Sequence, residues 1–228
     1  MLYGEQAVRD NIRNRDGKRV FFLGSGDELT PAAQDFLRRE NIEIRPAASA
    51  VIHQYQVDGG GLTTEKPEHM THLRGNILIP KTHPIVAFRG AMDNLQAELL
   101  LTQLVVAPSV RQKLEEILGL CRSIIAWEVM QEPAHTQAIC GLTPEELRSH
   151  SHRPQDFYGQ PHFMPSYTDG IAILQLNRTR CAARNAELAA ARAFEDATGS
   201  CTRSDILKLL NRISSMLYIL MIQLKAGQ

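Results

Sequence analysis

Two long helical patterns in the second half of the chain constrain the fold more than any other feature. One is rich in alanine and runs from about Asp169 to Ala197, and the other runs from about Ser204 to Leu224. Both exceed the usual length of a globular helix. Apolar residues also recur at helical spacing from about Ile85 to Val106, and from Ser109 to about Met130. Because long helices joined by modest loops form bundles, we predict a mainly α protein.

A fifth, shorter helix is indicated between the two helical pairs. Thr143-Pro144-Glu145-Glu146 combines a capping box with a proline at the first helical position. The segment from about Ser149 to Pro165, rich in histidine, proline and aromatic residues, is predicted to be a loop. The second part of the chain therefore reads as a five-helix-type bundle.

The first part of the chain reads as a small α/β unit. Val20–Leu23 is an apolar run typical of a buried strand, and Ile42–Ile44 alternates like a second strand. Thr30-Pro31 predicts the start of a helix between them. From Pro46 to about His69 the chain carries alanine, glycine and polar residues, as in a flexible connector or a loop that becomes ordered on binding. We predict two domains, an N-terminal α/β unit with its connector over residues 1–69 and a helical bundle over residues 70–228.

Charge and cysteine content exclude several classes of function. Lys+Arg and Asp+Glu both number 25, so no net charge favours nucleic acid or an anionic membrane. The four cysteines lack any CxxC pairing, which fits reduced thiols in a cytosol better than a disulfide scaffold. No run approaches 18 apolar residues. We expect a soluble, cytoplasmic protein with no membrane and no nucleic-acid partner.

Polar side chains interrupt the apolar pattern of two predicted helices. Arg180, Arg184 and Glu187 share one face of the alanine-rich helix, at i, i+4 and i+7. Asn211 and Arg212 stand in the otherwise apolar last helix, where unpaired polar groups are costly. Arginine suits phosphate oxygens, so this pattern indicates an anion site. The competing interpretation is a solvated helix face with an ordinary ion pair.

Three ordered motifs resemble a known enzyme family. Lys81–Pro84 followed by Gly90–Ala97 resembles the "K-x-x-P … G-x-x-D-E-L-N-A" run of ATP:corrinoid adenosyltransferases. Arg180–Glu187 is similar to the family's "R-x-x-x-R-R-A-E-R", and Leu210–Ser214 to its "L-N-R-L-S". Over nearly the whole chain the resemblance follows the ethanolamine-utilisation type, and it extends to the propanediol-utilisation type. It implies a cobalamin adenosyltransferase-like bundle with a small N-terminal appendage.

The resemblance also implies a reaction. The family transfers the 5′-deoxyadenosyl group of ATP to cob(I)alamin and releases triphosphate, with Mg²⁺. The product would serve a cobalamin-dependent catabolic enzyme such as ethanolamine ammonia-lyase. The expected assembly is a homo-dimer or homo-trimer with ATP between subunits, located in the cytoplasm or a bacterial microcompartment, with a microcompartment or reductase partner. A non-catalytic corrinoid-binding or delivery module is the main alternative, and a purely structural bundle is another.

The resemblance assigns roles to individual residues. Arg180, Arg184 and Glu187 match catalytic positions of the family, and Asp93 matches an acid that pairs with Arg180 across the subunit interface. For ATP and cobalamin, the matching positions are Lys81, Thr71, Asn211, Arg212 and Phe163. Phe163 would close the lower face of the corrinoid, with Met164 as the rival in that register.

The sequence departs from the family pattern at several positions. Asn185 and Leu188 replace arginines, and Ser215 replaces an aspartate. Met70–Leu73 occupies the place of a glycine-rich phosphate loop, so the resemblance does not say how the triphosphate is held.

An additional divalent metal is a separate hypothesis. Members of the ethanolamine branch often carry a histidine followed by a cysteine-rich motif. This chain has no cysteine between His53 and Thr71. His53, His69 and His72, with Glu65, could supply imidazole and carboxylate ligands instead. The alternative is that these histidines are ordinary surface residues of a polar loop.

Overall fold

The computed structural model describes residues 1–15, 17–47, 54–135 and 138–227. Along these residues the elements follow in the order β1 (Leu2–Tyr3), α1 (Glu5–Asp10), β2 (Arg13–Arg15), β3 (Lys18–Leu23), β4 (Glu28–Leu29), α2 (Pro31–Arg39), β5 (Glu43–Pro46), β6 (Tyr55–Val57), β7 (Leu62–Thr63), β8 (Met70–Arg74), β9 (Ile77–Pro80), α3 (Pro84–Gln103), α4 (Pro108–Met130), α5 (Pro144–His152), α6 (Pro154–Tyr158), α7 (Gly170–Ala193) and α8 (Ser204–Lys225). A short 3-10 turn, Tyr167–Asp169, precedes α7.

The chain divides into two compact units. The first comprises Met1–Tyr55 and Leu62–Glu65, and the second comprises Gln56–Gly61 and Lys66–Gln228. The second unit therefore includes Gln56–Gly61 and resumes at Lys66, so it takes in parts of the connector that we predict to end at residue 69.

The first unit is built around two helices, α1 and α2, and a three-stranded sheet. β3 lies in the middle, antiparallel to β2 and parallel to β5, with Val20 opposite Glu43. The hydroxyl of Thr30 accepts a hydrogen bond from the Ala33 amide, which caps α2 as the sequence predicts. Apolar side chains from α1, α2 and the sheet form its core: Val8, Phe21, Ala33, Phe36, Leu37 and Ile42.

Four short strands that follow β5 and precede α3 in the described part of the chain are not predicted from the sequence. The described part of the predicted flexible connector contains β6 and β7, so that interpretation is wrong for these residues. β8 and β9 form an antiparallel pair, and β6 lies parallel to β9. Leu78 and Ile79 in β9 are completely buried. Short strands are difficult to predict because their pairing depends on partners distant in sequence.

Helices α3 to α8 form the predicted bundle. α7 packs against both α3 and α8, and α4 packs on α3. Four buried alanines, Ala182, Ala183, Ala186 and Ala190, form the inner face of α7. Small side chains let neighbouring helices approach closely, which explains why an alanine-rich helix occupies the centre. Leu95, Leu99, Leu118, Leu210 and Leu217 are among the buried side chains that surround it.

The long helices begin and end within about four residues of the predicted positions. The capping box at Thr143 is present, with reciprocal bonds between Thr143 and Glu146. One expectation fails: α5 extends to His152 and α6 follows directly, inside the segment predicted as a loop. Pro154 at the first position of α6 starts that helix.

The mainly α fold class is confirmed. None of the helices in the described ranges has the length and hydropathy needed to cross a membrane.

Candidate functional site

A pocket of about 470 Å³ opens between α5, α7 and α8. Its lining is strongly polar and comes from all three helices: Arg148, Ser151, His152, Arg180, Arg184, Asn211, Arg212, Ser214, Ser215 and Tyr218. Four of these residues are arginines, and none of the described residues that line the pocket is acidic. We call this cavity the arginine pocket. Four guanidinium groups without an acidic neighbour in the wall favour a polyanionic ligand.

The helical repeat brings these side chains to one side of the bundle. Arg180 and Arg184 stand one turn apart on α7, while Asn211 and Tyr218 stand about two turns apart on the facing helix α8. The buried alanines lie on the other side of α7, so the arginine side chains point away from the core. The predicted cluster Arg180, Arg184, Asn211 and Arg212 is therefore brought together in space.

Glu187 holds two of the lining residues from outside the wall. The Asn211 side-chain amide donates to Glu187 Oε1 at 3.1 Å, and Arg212 donates to Asn211 Oδ1 at 2.8 Å. This chain of bonds fixes the orientation of the Asn211 amide and the Arg212 guanidinium. Glu187 therefore acts on the pocket through Asn211.

The arginines of the pocket retain hydrogen-bonding capacity for a ligand. Arg180 donates to Asn177 Oδ1 at 3.2 and 3.0 Å, and its guanidinium lies 5.9 Å from the ring centre of Tyr218. Neither contact neutralises its charge. The side chains of Arg184 and Arg148 form no hydrogen bond or ion pair with the described part of the chain, and both residues are exposed. Among the described residues, no carboxylate forms an ion pair with Arg148, Arg180 or Arg184.

A second pocket, of about 400 Å³, adjoins the first. It is lined by Phe163, Met164, Pro165, Asn177, Arg180 and Tyr218, and we call it the Phe163 pocket. Arg180 and Tyr218 line both cavities, so they form a shared wall. Phe163 is half-buried against the bundle, whereas Met164 is 89% exposed. An apolar surface therefore lies directly beside a cationic one.

The loop that carries Phe163 is fastened to α8 by a hydrogen-bonded chain. His162 Nε2 lies 3.2 Å from the His152 carbonyl oxygen, which can only accept, so Nε2 carries the proton. In the neutral ring Nδ1 then accepts from the Tyr218 hydroxyl at 3.0 Å, and the hydroxyl oxygen accepts from the Phe163 amide at 3.4 Å. The rings of His162 and Tyr218 are also stacked.

A second contact holds the same loop at its far end. The Lys225 ammonium donates to the Asp169 carboxylate, and this hydrogen bond lowers the pKa of Asp169. The Lys225 ammonium also lies 5.6 Å from the centre of the Phe163 ring. The position of Phe163 is thus set by bonds on both sides of it in the chain.

Three predicted site residues lie elsewhere in the protomer. Asp93 is exposed on α3, Thr71 is on β8, and Lys81 follows β9 and pairs with Glu68 at 2.7 Å. None of them lines the arginine pocket of its own chain. Their roles toward ATP stay predictions.

The predicted metal ligands are only partly described. His53 lies outside the described residues. His69 and His72 are exposed, and His72 Nδ1 lies 3.1 Å from the Gly75 carbonyl oxygen. Within the described ranges, no group of three His, Cys, Asp or Glu side chains could hold a metal ion. A site that includes His53 stays a prediction.

Two of the four cysteines, Cys121 and Cys140, are poor candidates for thiolate ligands. All four are free, and burial raises the pKa of Cys121 and of Cys140 to about 12. Both therefore remain protonated thiols at neutral pH, whereas metal ligation requires the thiolate.

Two parts of the arginine pocket are not predicted from the sequence: the wall that α5 contributes, and Tyr218 in the wall shared with the Phe163 pocket. The sequence assigns no role to Arg148, Ser151 or His152, yet α5 contributes all three to the pocket. Their spacing of three and four residues places them on one helix face. Tyr218 follows Asn211 by seven residues, about two turns of α8, so its position on the same face could have been inferred.

Comparison with known proteins agrees with the architecture. Residues 62–224 match the cobalamin adenosyltransferase family. Corrinoid adenosyltransferase EutT of Salmonella typhimurium strain LT2 is 32% identical over 241 positions, which cover 96% of this chain and 90% of that protein. EutT of Escherichia coli strain K12 is 32% identical over 158 residues, covering 69% of this chain and 59% of that protein.

A solved structure shares the fold. It is a variant of the PduO-type ATP:corrinoid adenosyltransferase from Lactobacillus reuteri, complexed with cobalamin and ATP. It matches with a TM-score of 0.50 and 15% identity, over 78% of this chain and 89% of that one. The chain belongs to the cobalamin adenosyltransferase family. The resemblance read from the three sequence motifs is thereby confirmed.

Proposed function

We propose that this protein transfers the 5′-deoxyadenosyl group of ATP to cob(I)alamin, giving adenosylcobalamin and triphosphate. The observation that carries the proposal is the pair of adjoining cavities. One is lined by four arginines without an acidic partner in the wall, and the other is partly apolar around Phe163. A nucleotide whose triphosphate lies in the first can present its ribose to a corrinoid in the second.

The reaction requires charge stabilisation rather than a base. The electron pair of cob(I)alamin forms the cobalt–carbon bond with C5′, the C5′–oxygen bond breaks, and its electrons leave with the triphosphate. Negative charge grows on the oxygen next to C5′ and spreads over the phosphates. Arg180, in the shared wall, and Arg184, one turn away, are placed to stabilise that charge. No proton needs to be removed from either substrate at C5′.

Positioning is the second contribution of the protein. Holding two reactants in line can supply about 7–11 kcal/mol of barrier reduction. Tyr218 and Arg180 separate the two cavities, so they define where C5′ meets the cobalt. Phe163 provides an apolar surface that excludes water and ligands from one face of the corrinoid.

Mg²⁺ fits the site only when it is bound to the nucleotide, as a Mg²⁺–ATP complex. The arginine pocket has no acidic lining residue in the described chain, and Glu187 is engaged with Asn211. The triphosphate itself would supply most of the oxygen ligands of the ion, which would offset part of the phosphate charge.

A second copy of the chain is proposed to complete the site. Asp93, Ala97, Leu100 and Leu104 share one face of α3, and all four are exposed in the protomer. Leu100 is 49% exposed and Leu104 is 76% exposed. An apolar strip beside an unpaired acid suits an interface that brings Asp93 to Arg180 of the adjoining protomer. Lys81 and Thr71 would reach the nucleotide in the same way.

The finer biological setting rests on the resemblance to the ethanolamine-utilisation branch. We propose that the product supplies a cobalamin-dependent catabolic enzyme such as ethanolamine ammonia-lyase, in the cytoplasm or within a bacterial microcompartment. A reductase that generates cob(I)alamin would be a natural partner. An additional divalent metal near His53 and His69 belongs to the same proposal.

The proposed reaction has a direct test. Protein loaded with hydroxocobalamin is supplied with ATP and a strong chemical reductant, and the absorbance spectrum is followed before and after illumination. A photolabile cobalt–carbon chromophore is expected, with one triphosphate released per corrinoid. Corrinoid binding without this chromophore would instead identify a carrier module, and absence of both ATP and corrinoid binding would leave a structural bundle.

A further inference from the structure

One arginine of the pocket belongs to no motif that was assigned to nucleotide binding. Arg148 comes from α5, whereas the other three arginines come from α7 and α8. It is exposed, it carries no ion pair within the described ranges, and it lines the cavity together with Ser151 and His152.

The two ends of the arginine pocket are distinguishable. Tyr218 and Arg180 mark the end that adjoins the Phe163 pocket. His152 lies near that end, because its carbonyl accepts from His162, which is bonded to Tyr218. Arg148 lies one helical turn further back on α5, roughly 6 Å along the axis. On α8, Arg212 is about two turns from Tyr218, so it too lies away from the Tyr218 end of the pocket.

The direction of the bound nucleotide follows from this arrangement and rests on the proposed function. C5′ must lie at the Tyr218 end if it is to meet a corrinoid in the Phe163 pocket. The phosphate chain then runs away from that end, so the terminal phosphate lies at the end marked by Arg148 and Arg212. We infer that Arg148 binds the terminal phosphate and thereby makes the site selective for nucleoside triphosphates over diphosphates.

Calorimetric titration with ATP and with ADP, in the absence of corrinoid, tests this inference. In the wild-type protein we expect ATP to bind more tightly than ADP. Arg148→Ala should weaken ATP binding by roughly ten-fold or more, the usual size for loss of a charge-assisted hydrogen bond, and leave ADP binding nearly unchanged. Arg148→Lys should retain part of the preference because it keeps the charge.

Arg122→Ala is the matched control, since Arg122 is an exposed arginine on α4 that does not line the pocket. It should change neither affinity. Equal weakening of ATP and ADP would overturn the inference, because Arg148 would then contact a phosphate shared by both. Unchanged ATP binding would overturn it as well. Failure of adenosyl transfer in wild-type protein that still prefers ATP would instead refute the proposed function alone.

Discussion

Arginines occur in two different settings in the helical bundle. On the α3–α4 side, Arg89 forms a two-pronged pair with Glu128 at 2.8 and 3.1 Å and also donates to the Leu73 carbonyl. Between α3 and α7, Arg178 donates to the buried carboxylate of Glu98 at 2.9 Å. In the arginine pocket, Arg148, Arg180 and Arg184 have no such carboxylate among the described residues.

The difference separates structural arginines from ligand-binding ones. Glu128 is only 3% exposed, and a buried carboxylate needs a cation to offset the cost of leaving water. The pair therefore belongs to the stability of the bundle. An arginine whose charge is unpaired remains available to an anion, so its removal should change binding more than folding. Each prediction below distinguishes these two effects.

The largest effect is expected on the rate of adenosyl transfer, when an arginine of the arginine pocket is replaced. Arg184→Ala, and separately Arg180→Ala, should lower the rate of adenosyl transfer at saturating ATP by about 100-fold or more, because each removes charge that stabilises the departing triphosphate. The melting temperature should stay within about 2 °C of the wild type, since neither side chain forms an ion pair in the described protomer. Near-wild-type rates in either variant would remove that arginine from the mechanism.

Glu128→Ala should have the opposite result, a large loss of stability without a loss of ligand binding. This change leaves Arg89, which is 23% exposed, without its carboxylate, and should lower the free energy of unfolding by about 3 kcal/mol. ATP affinity of the folded protein should be unchanged. Urea denaturation measures the first quantity and calorimetry the second. Glu132→Ala, at an exposed acid just beyond the end of α4, is the control and should have little effect.

A smaller effect is expected in the Phe163 pocket. While Phe163 keeps water and other ligands from one corrinoid face, bound cobalt(II) stays four-coordinate, with only the four ring nitrogens as ligands. Phe163→Ala should open that face, reduce the population of four-coordinate cobalt(II) and slow turnover by roughly ten-fold. Absorbance and EPR spectra of the cobalt(II) form measure this population. Met164→Ala serves as the comparison, because Met164 is the rival residue and is far more exposed. An effect confined to Met164→Ala would transfer the role to that residue.

The smallest effect is expected from Tyr218→Phe. The ring remains in the shared wall, but His162 and the Phe163 amide lose their hydrogen-bond partner. Stability should fall by about 1 kcal/mol. Four-coordinate cobalt(II) should diminish less than in Phe163→Ala, and ATP affinity should stay constant. A marked loss of ATP affinity would mean that the hydroxyl acts in the arginine pocket instead.

Much of the bundle can be predicted from the sequence because its elements are local. Helical periodicity and the Thr143 cap locate the helices, and the i, i+4 spacing puts Arg180 and Arg184 on one face. Facing helices then bring Asn211 and Arg212 to the same cavity. The convergence of these four residues needs no information beyond the packing of long helices.

The remaining features depend on contacts between distant segments. β6 pairs in parallel with β9, which places Gln56 opposite Ile77, and short apolar runs do not specify that register. α6 lies in a segment whose composition resembles a loop. The contribution of α5 to the pocket depends on how α5 packs against α8. Arg148 alone gives no signal in the sequence, because an exposed arginine on a short helix is ordinary.

A crystal structure of the protein with ATP and cobalamin would test the central claim most directly. We expect phosphate oxygens within hydrogen-bonding distance of Arg180 and Arg184, the terminal phosphate at Arg148, and the corrinoid against Phe163 with C5′ directed at the cobalt. A nucleotide bound away from the arginine pocket, or a corrinoid bound away from the Phe163 pocket, would contradict the proposal.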